Sequence, residues 1–220
     1  MSMTMIQTMT DAPASLADAL RDATSDAHRD IENRPLQKQI ATGAVEPETL
    51  ARYLQQLRHL HAAIEGLVDR LRDRREDVAP LLDADMHHSA RLDEDLERIR
   101  TATPGIDAPT PEMTDTIDRL RMTSEHQQLA IIGALYVLEG SMNGNAFIVR
   151  GLRRSKAITA SMGLSYFDPY GETQRERWQA FRSHLDRLDI TTDERIAIIE
   201  TAEQTFRDLA RVGDAITTTA

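Results

Sequence analysis

ALYVLEGSMNGNAFIVRGL, residues 134–152, decides how this chain folds. The stretch has helical periodicity, yet with the residue just before it glycine stands at 133, 140, 144 and 151. A glycine inside a helix costs about 1 kcal/mol relative to alanine. The separations are seven, four and seven, so at about 100° per residue the four glycines share one narrow stripe. Something comes close to that bare backbone. Spacing alone leaves two candidates open: a second helix packed through small residues, or a flat ligand over exposed peptide groups.

The same periodicity extends outward in both directions. A first helix is predicted from about Leu16 to Glu32, with Leu16, Leu20, Ala23, Ala27 and Ile31 on one face. A second opens at VEPETL, where Pro47 suits a first turn. It continues through Leu50, Tyr53, Leu54, Leu57, Leu60, His61, Ile64, Leu67, Val68 and Leu71, the stripe of a bundle core. A third covers roughly 81–100, and TATPGIDAPTPEMTD (101–115) reads as a Pro-rich loop. A short helix follows near Ile117 and Leu120. The glycine-striped helix is predicted to start near Ser124, with Ser124 and Gln127 as a capping box, and to run to about Arg154 with a kink near Gly140 and Gly144. After the loop MGLSYFDPYGET (162–173) come helices around Trp178–Leu188 and Asp193–Ile216, the last preceded by the capping pattern Thr191…Glu194. No strand pair and no repeat is visible. The prediction is an all-α fold: a flexible tail over 1–14 and one helical domain over 15–216.

Composition narrows the functional classes. With 220 residues, 40% hydrophobic and 28% charged, the chain can bury a substantial core. A net charge of −10 argues against general nucleic-acid or anionic-membrane binding. The absence of cysteine removes disulfides, zinc ribbons, iron–sulfur clusters and thiol nucleophiles together. The start, MSMTMIQTMTDAPA, has neither a basic region nor an apolar core, so a cytoplasmic protein is expected.

Few residues offer chemistry. His28 has Glu32 one turn on, a spacing that suits either a surface pair or a metal-binding imidazole oriented by a carboxylate. His59 and His61 are two apart and point to different sides of a helix; His87 and His88 meet the same difficulty. A di-iron bundle calls for two Glu-x-x-His pairs on separate helices, and Asp85-Met-His-His88 only imitates one. The tyrosines and Trp178 suit core or loop-anchoring roles. The arginines of RGLRRSK (150–156) suit a solvated helix end.

Together these pieces resemble the heme oxygenase family. LRDATSDAHRDIE (20–32) is similar to the family's proximal segment, in which an Ala-Thr pair precedes an iron-ligating His and a Glu follows four residues later. ARLDEDL (90–96), GLSYF (163–167), FRSHLDRLDIT (181–191) and IETAEQTF (199–206) continue the pattern. ALYVLEGSMNG (134–144) resembles the distal helix, especially its bacterial form associated with phytochrome chromophore synthesis. The resemblance covers about residues 16–210, and the order and spacing of the motifs carry it.

The resemblance implies a helical bundle in which heme b, both cofactor and substrate, lies between a proximal helix and a kinked distal helix. His28 would be the iron ligand and Glu32 its hydrogen-bonding partner. Gly140, Ser141, Gly144 and Asn145 would form the distal, catalytic face, and Arg21 and Arg182 would meet the propionates. With dioxygen and electrons from an external reductant, the family opens the ring at a meso carbon to biliverdin, carbon monoxide and ferrous iron, the cofactor carrying the hard chemistry. Arg150, Arg153 and Arg154 match a region where an acidic donor such as a ferredoxin or a reductase docks, and a bacteriophytochrome is the implied acceptor of biliverdin. Three departures stand out. Asn145 replaces a usual second glycine, Ser141 stands where animal members have Asp, and Ser25 and Trp178 replace lysines that face the propionates. Asn145 keeps a second reading open, a non-catalytic heme carrier or sensor on the same fold.

Overall fold

The computed structural model describes residues 14–82, 84–99, 108–155, 157–158 and 164–218. Nine α-helices run through them: α1 (Leu16–Glu32), α2 (Pro35–Thr42), α3 (Pro47–Arg72), α4 (Ser89–Arg98), α5 (Pro111–His126), α6 (Ile131–Ser141), α7 (Asn145–Leu152), α8 (Gln174–Leu185) and α9 (Thr192–Thr218). No strand occurs among the described residues. Residues 1–13 of the tail and 101–107, the first part of the Pro-rich loop, lie outside them.

Local chemistry sets the boundaries. Ser15 caps α1 by accepting from the Asp18 amide at 3.2 Å. Proline opens α2, α3 and α5 at the first turn, where its missing N–H is not needed. The capping box before α9 forms as predicted: the Glu194 amide donates to Thr191 Oγ1 at 3.2 Å, and the Thr191 amide donates to Glu194 Oε2 at 2.8 Å.

Three expectations need correction. The glycine-striped helix begins at Ile131, not Ser124. Thr110 caps and Pro111 opens a 16-residue helix whose apolar face, Met113, Ile117 and Leu120, carries it straight through Ser124 to His126. Ser124 is therefore interior, its buried hydroxyl lacks a partner, and no box with Gln127 forms. The third predicted helix starts at Ser89, because Pro80 confines residues 76–81 to a 3-10 turn. The short α2 was not anticipated, although Pro35 at its start and Gly43 at its end, φ 76°, are the usual pair of helix punctuation marks.

The long α9 is the centre of the bundle and packs against α1, α2, α3, α5 and α6. From α3, the predicted stripe Leu50, Leu54, Leu57, Leu60, Ile64 and Val68 is buried. Among the described residues no helix is long and apolar enough to cross a membrane.

The four glycines divide into two kinds. A methyl on Gly133 would collide with the Ile198 carbonyl oxygen and come within 2.8 Å of the Ala202 amide, both on α9. A methyl on Gly151 would collide with the Ala41 carbonyl oxygen on α2, and one on Gly43 would strike the Gly151 carbonyl in return. Helix packing explains the two outer glycines. Between them α6 gives way to a 3-10 turn at Met142–Gly144 before α7 begins, an interruption that falls where the sequence predicts a kink. A methyl on Gly140 would meet only the edge of the Trp178 indole at 3.2 Å, and one on Gly144 would meet nothing within 4 Å. The inner two glycines face open space or a side chain, and never another backbone.

Candidate functional site

That open space is a cavity of about 650 Å³, within the roughly 300–1,000 Å³ of small-molecule sites. One wall is His28, Ile31 and Glu32 of α1; the other is Val137, Leu138, Gly140, Ser141, Gly144, Asn145, Phe147 and Ile148 of the kinked segment. Its inner end is Gln37, Tyr53, Leu57, Tyr166 and Phe167, with Phe206 and Leu209 from α9. Six of the eight residues singled out in sequence for the site thus meet around one mostly apolar space.

The His28 ring packs edge-on to Phe206, centroids 5.4 Å apart. Its Nδ1 lies 3.7 Å from Glu32 Oε2, and its side chain is half exposed. A carboxylate on the Nδ1 side leaves Nε2 free to act as a ligand. Among the described residues no group of three or more His, Asp or Glu side chains could hold a metal by itself. A single imidazole is what porphyrin iron takes from one face.

Across the cavity, the Ser141 hydroxyl donates back to the Leu138 carbonyl at 2.7 Å. Asn145 is buried, and its Nδ2 donates to the Met142 thioether at 2.9 Å. The extra bulk of Asn145 relative to glycine is therefore turned onto its own helix. Arg21 and Arg182 are brought together, but outside the cavity lining. Both reach Asp18 Oδ1, at 2.8 and 3.2 Å, and Arg21 also pairs with Asp22. Beside them Tyr136 is buried, which pushes its phenol pKa up against the opposing pull of the two arginines. Trp178 tilts against Tyr136 and stacks on Phe181, covering Gly140 from outside. Arg150, Arg153 and Arg154 are exposed at the end of α7.

Sequence reasoning missed a polar cluster next to the cavity. Tyr166, on its wall, reaches His61 Nε2 at 3.1 Å. Burial and the neighbouring His88 push the His61 pKa well below the usual histidine value, so the ring is neutral, and burial pushes Tyr166 well above the usual phenol range. His88 Nε2 lies 3.3 Å from Glu139 Oε1, and Tyr170 donates to Glu139 Oε2 at 2.9 Å. The buried Asp95 anchors this loop, accepting from Ser165 N and Oγ at 3.0 and 2.8 Å and from Tyr166 N at 2.8 Å. Two signals were visible: Glu139 interrupts an otherwise apolar run from Leu129, and His61 sits in a leucine stripe.

A family model described as heme oxygenase matches residues 14–213. The chain belongs to the heme oxygenase family. Heme oxygenase 1 of Gallus gallus is 23% identical over 195 residues, covering 87% of this chain and 66% of that protein. Heme oxygenase 1 of Homo sapiens is 23% identical over 202 residues, covering 88% and 69%. The chain spans about two thirds of the length of these curated relatives. The heme oxygenase of Leptospira interrogans has the same fold, with a TM-score of 0.83, 23% identity, and coverage of 92% of this chain and 100% of that one. Heme oxygenase-1 of Synechocystis sp. PCC 6803, solved in complex with heme, gives 0.82 with 16% identity and 94% coverage of both chains. The lining present here fits such a ligand: apolar walls for a flat macrocycle, one imidazole, and a backbone at Gly144 that no side chain covers.

Proposed function

We propose that this chain is a heme oxygenase acting in the cytoplasm, which binds heme b between α1 and the kinked α6–α7 segment and cleaves it to biliverdin, carbon monoxide and ferrous iron. Family membership supports heme as substrate. The observation that carries the reading is a cavity with His28 on one wall and the uncovered Gly144 on the other.

Each residue has a distinct part. His28 would hold the heme iron through its imidazole, and Glu32, 3.7 Å from Nδ1, would orient the ring from the other side. Bound there, heme supplies the redox chemistry that dioxygen and external electrons require. Gly144, where an added methyl would meet nothing within 4 Å, keeps the distal space free for dioxygen, Gly140 lets Trp178 close over the distal helix from outside, and Phe167, Phe206 and Leu209 keep bulk water from the ring. Arg21 and Arg182 meet the propionates by exchanging Asp18 for a ligand carboxylate. Arg150, Arg153 and Arg154 receive an acidic electron donor, a ferredoxin or a reductase, and a bacteriophytochrome takes up the product. The placement of Asn145, tied to Met142 and not standing across the cavity, favours turnover over the carrier reading.

The test is a titration with one equivalent of hemin, followed by ascorbate or a ferredoxin system in air. A sharp Soret band that decays into the broad red absorption of biliverdin is expected. In His28→Ala that Soret band is lost while the helical circular dichroism stays. A stable Soret band in the unmodified protein would mean a carrier, and no band at all would remove heme from the cavity.

A further inference from the structure

One end of the mostly apolar cavity is polar. There the Gln37 side chain of α2 donates from Nε2 to the Tyr53 hydroxyl of α3 at 3.2 Å, and both residues line the cavity. Gln37 Oε1 is buried and has no partner. The Tyr53 hydroxyl accepts from Gln37 but finds no acceptor for its own proton among the described residues. Burial pushes the Tyr53 pKa up, so the phenol keeps that proton. Tyr166, the other phenol on this wall, is already bonded to His61 Nε2. A buried polar atom left unmet costs free energy, and few proteins carry one without a use for it.

Gln37 and Tyr53, with one bond between them, leave one donor and one acceptor over. As the side chains stand, Oε1 accepts and the phenol donates; with the Gln37 amide turned about, Nε2 donates and the phenol oxygen accepts. Either way this end matches a ligand edge that carries a carbonyl beside an N–H. Intact heme has no such edge, because apart from the propionates its rim is carbon and hydrogen. Ring opening makes one. Each of the two pyrroles that flanked the lost meso carbon gains an oxygen, and once iron has left, its nitrogen carries a proton. Each cut end is then a lactam, with C=O and N–H side by side. The placement agrees. Arg21 stands seven residues before His28 on α1, about 10 Å along the axis, whereas Gln37 follows the opposite end of that helix. A macrocycle with its propionates at Arg21 turns its far rim toward Gln37.

We infer that Gln37 and Tyr53 form a lactam-recognising subsite, which grips a cut end of the open tetrapyrrole and distinguishes product from heme. The inference rests on the cavity being a site of heme degradation to biliverdin. The pair has nothing on the rim of intact heme to bond, so its two free groups act on the product alone. Biliverdin gains hydrogen bonds that the substrate lacks, each worth up to about tenfold in an equilibrium, and leaves the cavity more slowly for it. A pair that only tied α2 to α3 would show no such preference.

The experiment measures the affinity of wild type, Gln37→Leu and Tyr53→Phe for hemin, for biliverdin, and for the bis-O-methyl lactim ether of biliverdin, whose ends have lost both C=O and N–H. Tyr53→Phe removes a single oxygen and stands in if Gln37→Leu fails to fold. The ratio of biliverdin to hemin affinity is expected to fall about tenfold in each variant. The ratio of ether to hemin affinity starts lower in the wild type and keeps that value in the variants. An unchanged biliverdin ratio, an equal fall for the ether, or a wild type that does not bind biliverdin overturns the subsite. Consumption of hemin by the wild type, with an electron source and air, is followed separately. Consumption with unmoved ratios removes the subsite and leaves the enzyme. Ratios that move as expected without consumption remove the heme-degrading reading and keep a subsite for an open tetrapyrrole.

Discussion

The division of the glycines predicts opposite stability changes for one substitution at two positions of the same stripe. Gly133→Ala puts a methyl onto the Ile198 carbonyl and the Ala202 amide. Both are helical backbone, so neither rotates away and α6 must lift from α9. Overpacking of this kind costs about 1–3 kcal/mol, and an unyielding neighbour argues for the upper end. Alanine recovers up to about 1 kcal/mol of helix propensity, which leaves a net loss of about 2 kcal/mol. At about 2–4 °C per kcal/mol for a chain of this size, Tm falls by about 4–8 °C. Gly144→Ala meets nothing within 4 Å, and its φ of −81° is ordinary for alanine. The unfolded chain loses freedom, so the fold gains about 0.4–1 kcal/mol and Tm rises by a few degrees. The assay is thermal unfolding of the heme-free protein by circular dichroism. A Gly133→Ala variant as stable as wild type, or a Gly144→Ala variant clearly less stable, would refute the division. Hemin turnover supplies the second axis: the more stable Gly144→Ala is expected to turn over more slowly, because its methyl enters the cavity.

Two further outcomes follow from buried polar groups. Asp95→Ala leaves the Ser165 and Tyr166 amides without an acceptor, while the Ser165 hydroxyl keeps the Arg91 carbonyl at 3.5 Å, which at about 1–3 kcal/mol for each unmet group costs about 3 kcal/mol after relaxation; an unchanged Tm would show that the loop is held by its aromatic packing instead. The depressed pKa values of His61, from burial and His88, and of His184, from burial and Arg187, make the unfolded chain bind more protons below about pH 6.5. Stability is therefore lost as pH falls through the unfolded value, by up to about 1.4 kcal/mol per pH unit for the buried His61, with His184 adding in the same direction. Unfolding curves between about pH 7.5 and 5 should show this slope, and His61→Gln should flatten it; an equal slope in that variant would mean that other groups dominate.

Much of the architecture was legible because helices advertise themselves locally. The α3 stripe, the Thr191–Glu194 box and the kink at Gly140–Gly144 each depend on residues within two turns. The errors arose where a local signal had two meanings. Ser124 and Gln127 have the spacing of a cap, but the apolar face from Met113 to Leu120 outweighs it. The glycine stripe had two candidate explanations; helix packing holds for Gly133 and Gly151, while Gly140 faces a side chain and Gly144 an opening. Whether a neighbour is the α9 backbone or an opening is a tertiary fact that periodicity does not encode. The site followed the same rule. His28, Glu32, Gly140 and Gly144 were readable from motif order, whereas Tyr166, His61, His88 and Glu139 are far apart in sequence and meet only when the 164–173 loop folds over α3 and α4. Arg21 and Arg182 were recognisable as a pair, but their shared hold on Asp18 was not.

The two outer glycines also fix how the roof over the cavity can deform. Gly133 is seated against α9 at one end and Gly151 against α2 at the other, both by contact of backbone with backbone. The segment between them is a beam built in at both supports, with its one soft joint at mid-span, in the turn at Met142–Gly144. A beam of that kind does not swing open like a door. It bows, and its greatest travel is at the joint, beside the uncovered Gly144 of the cavity wall.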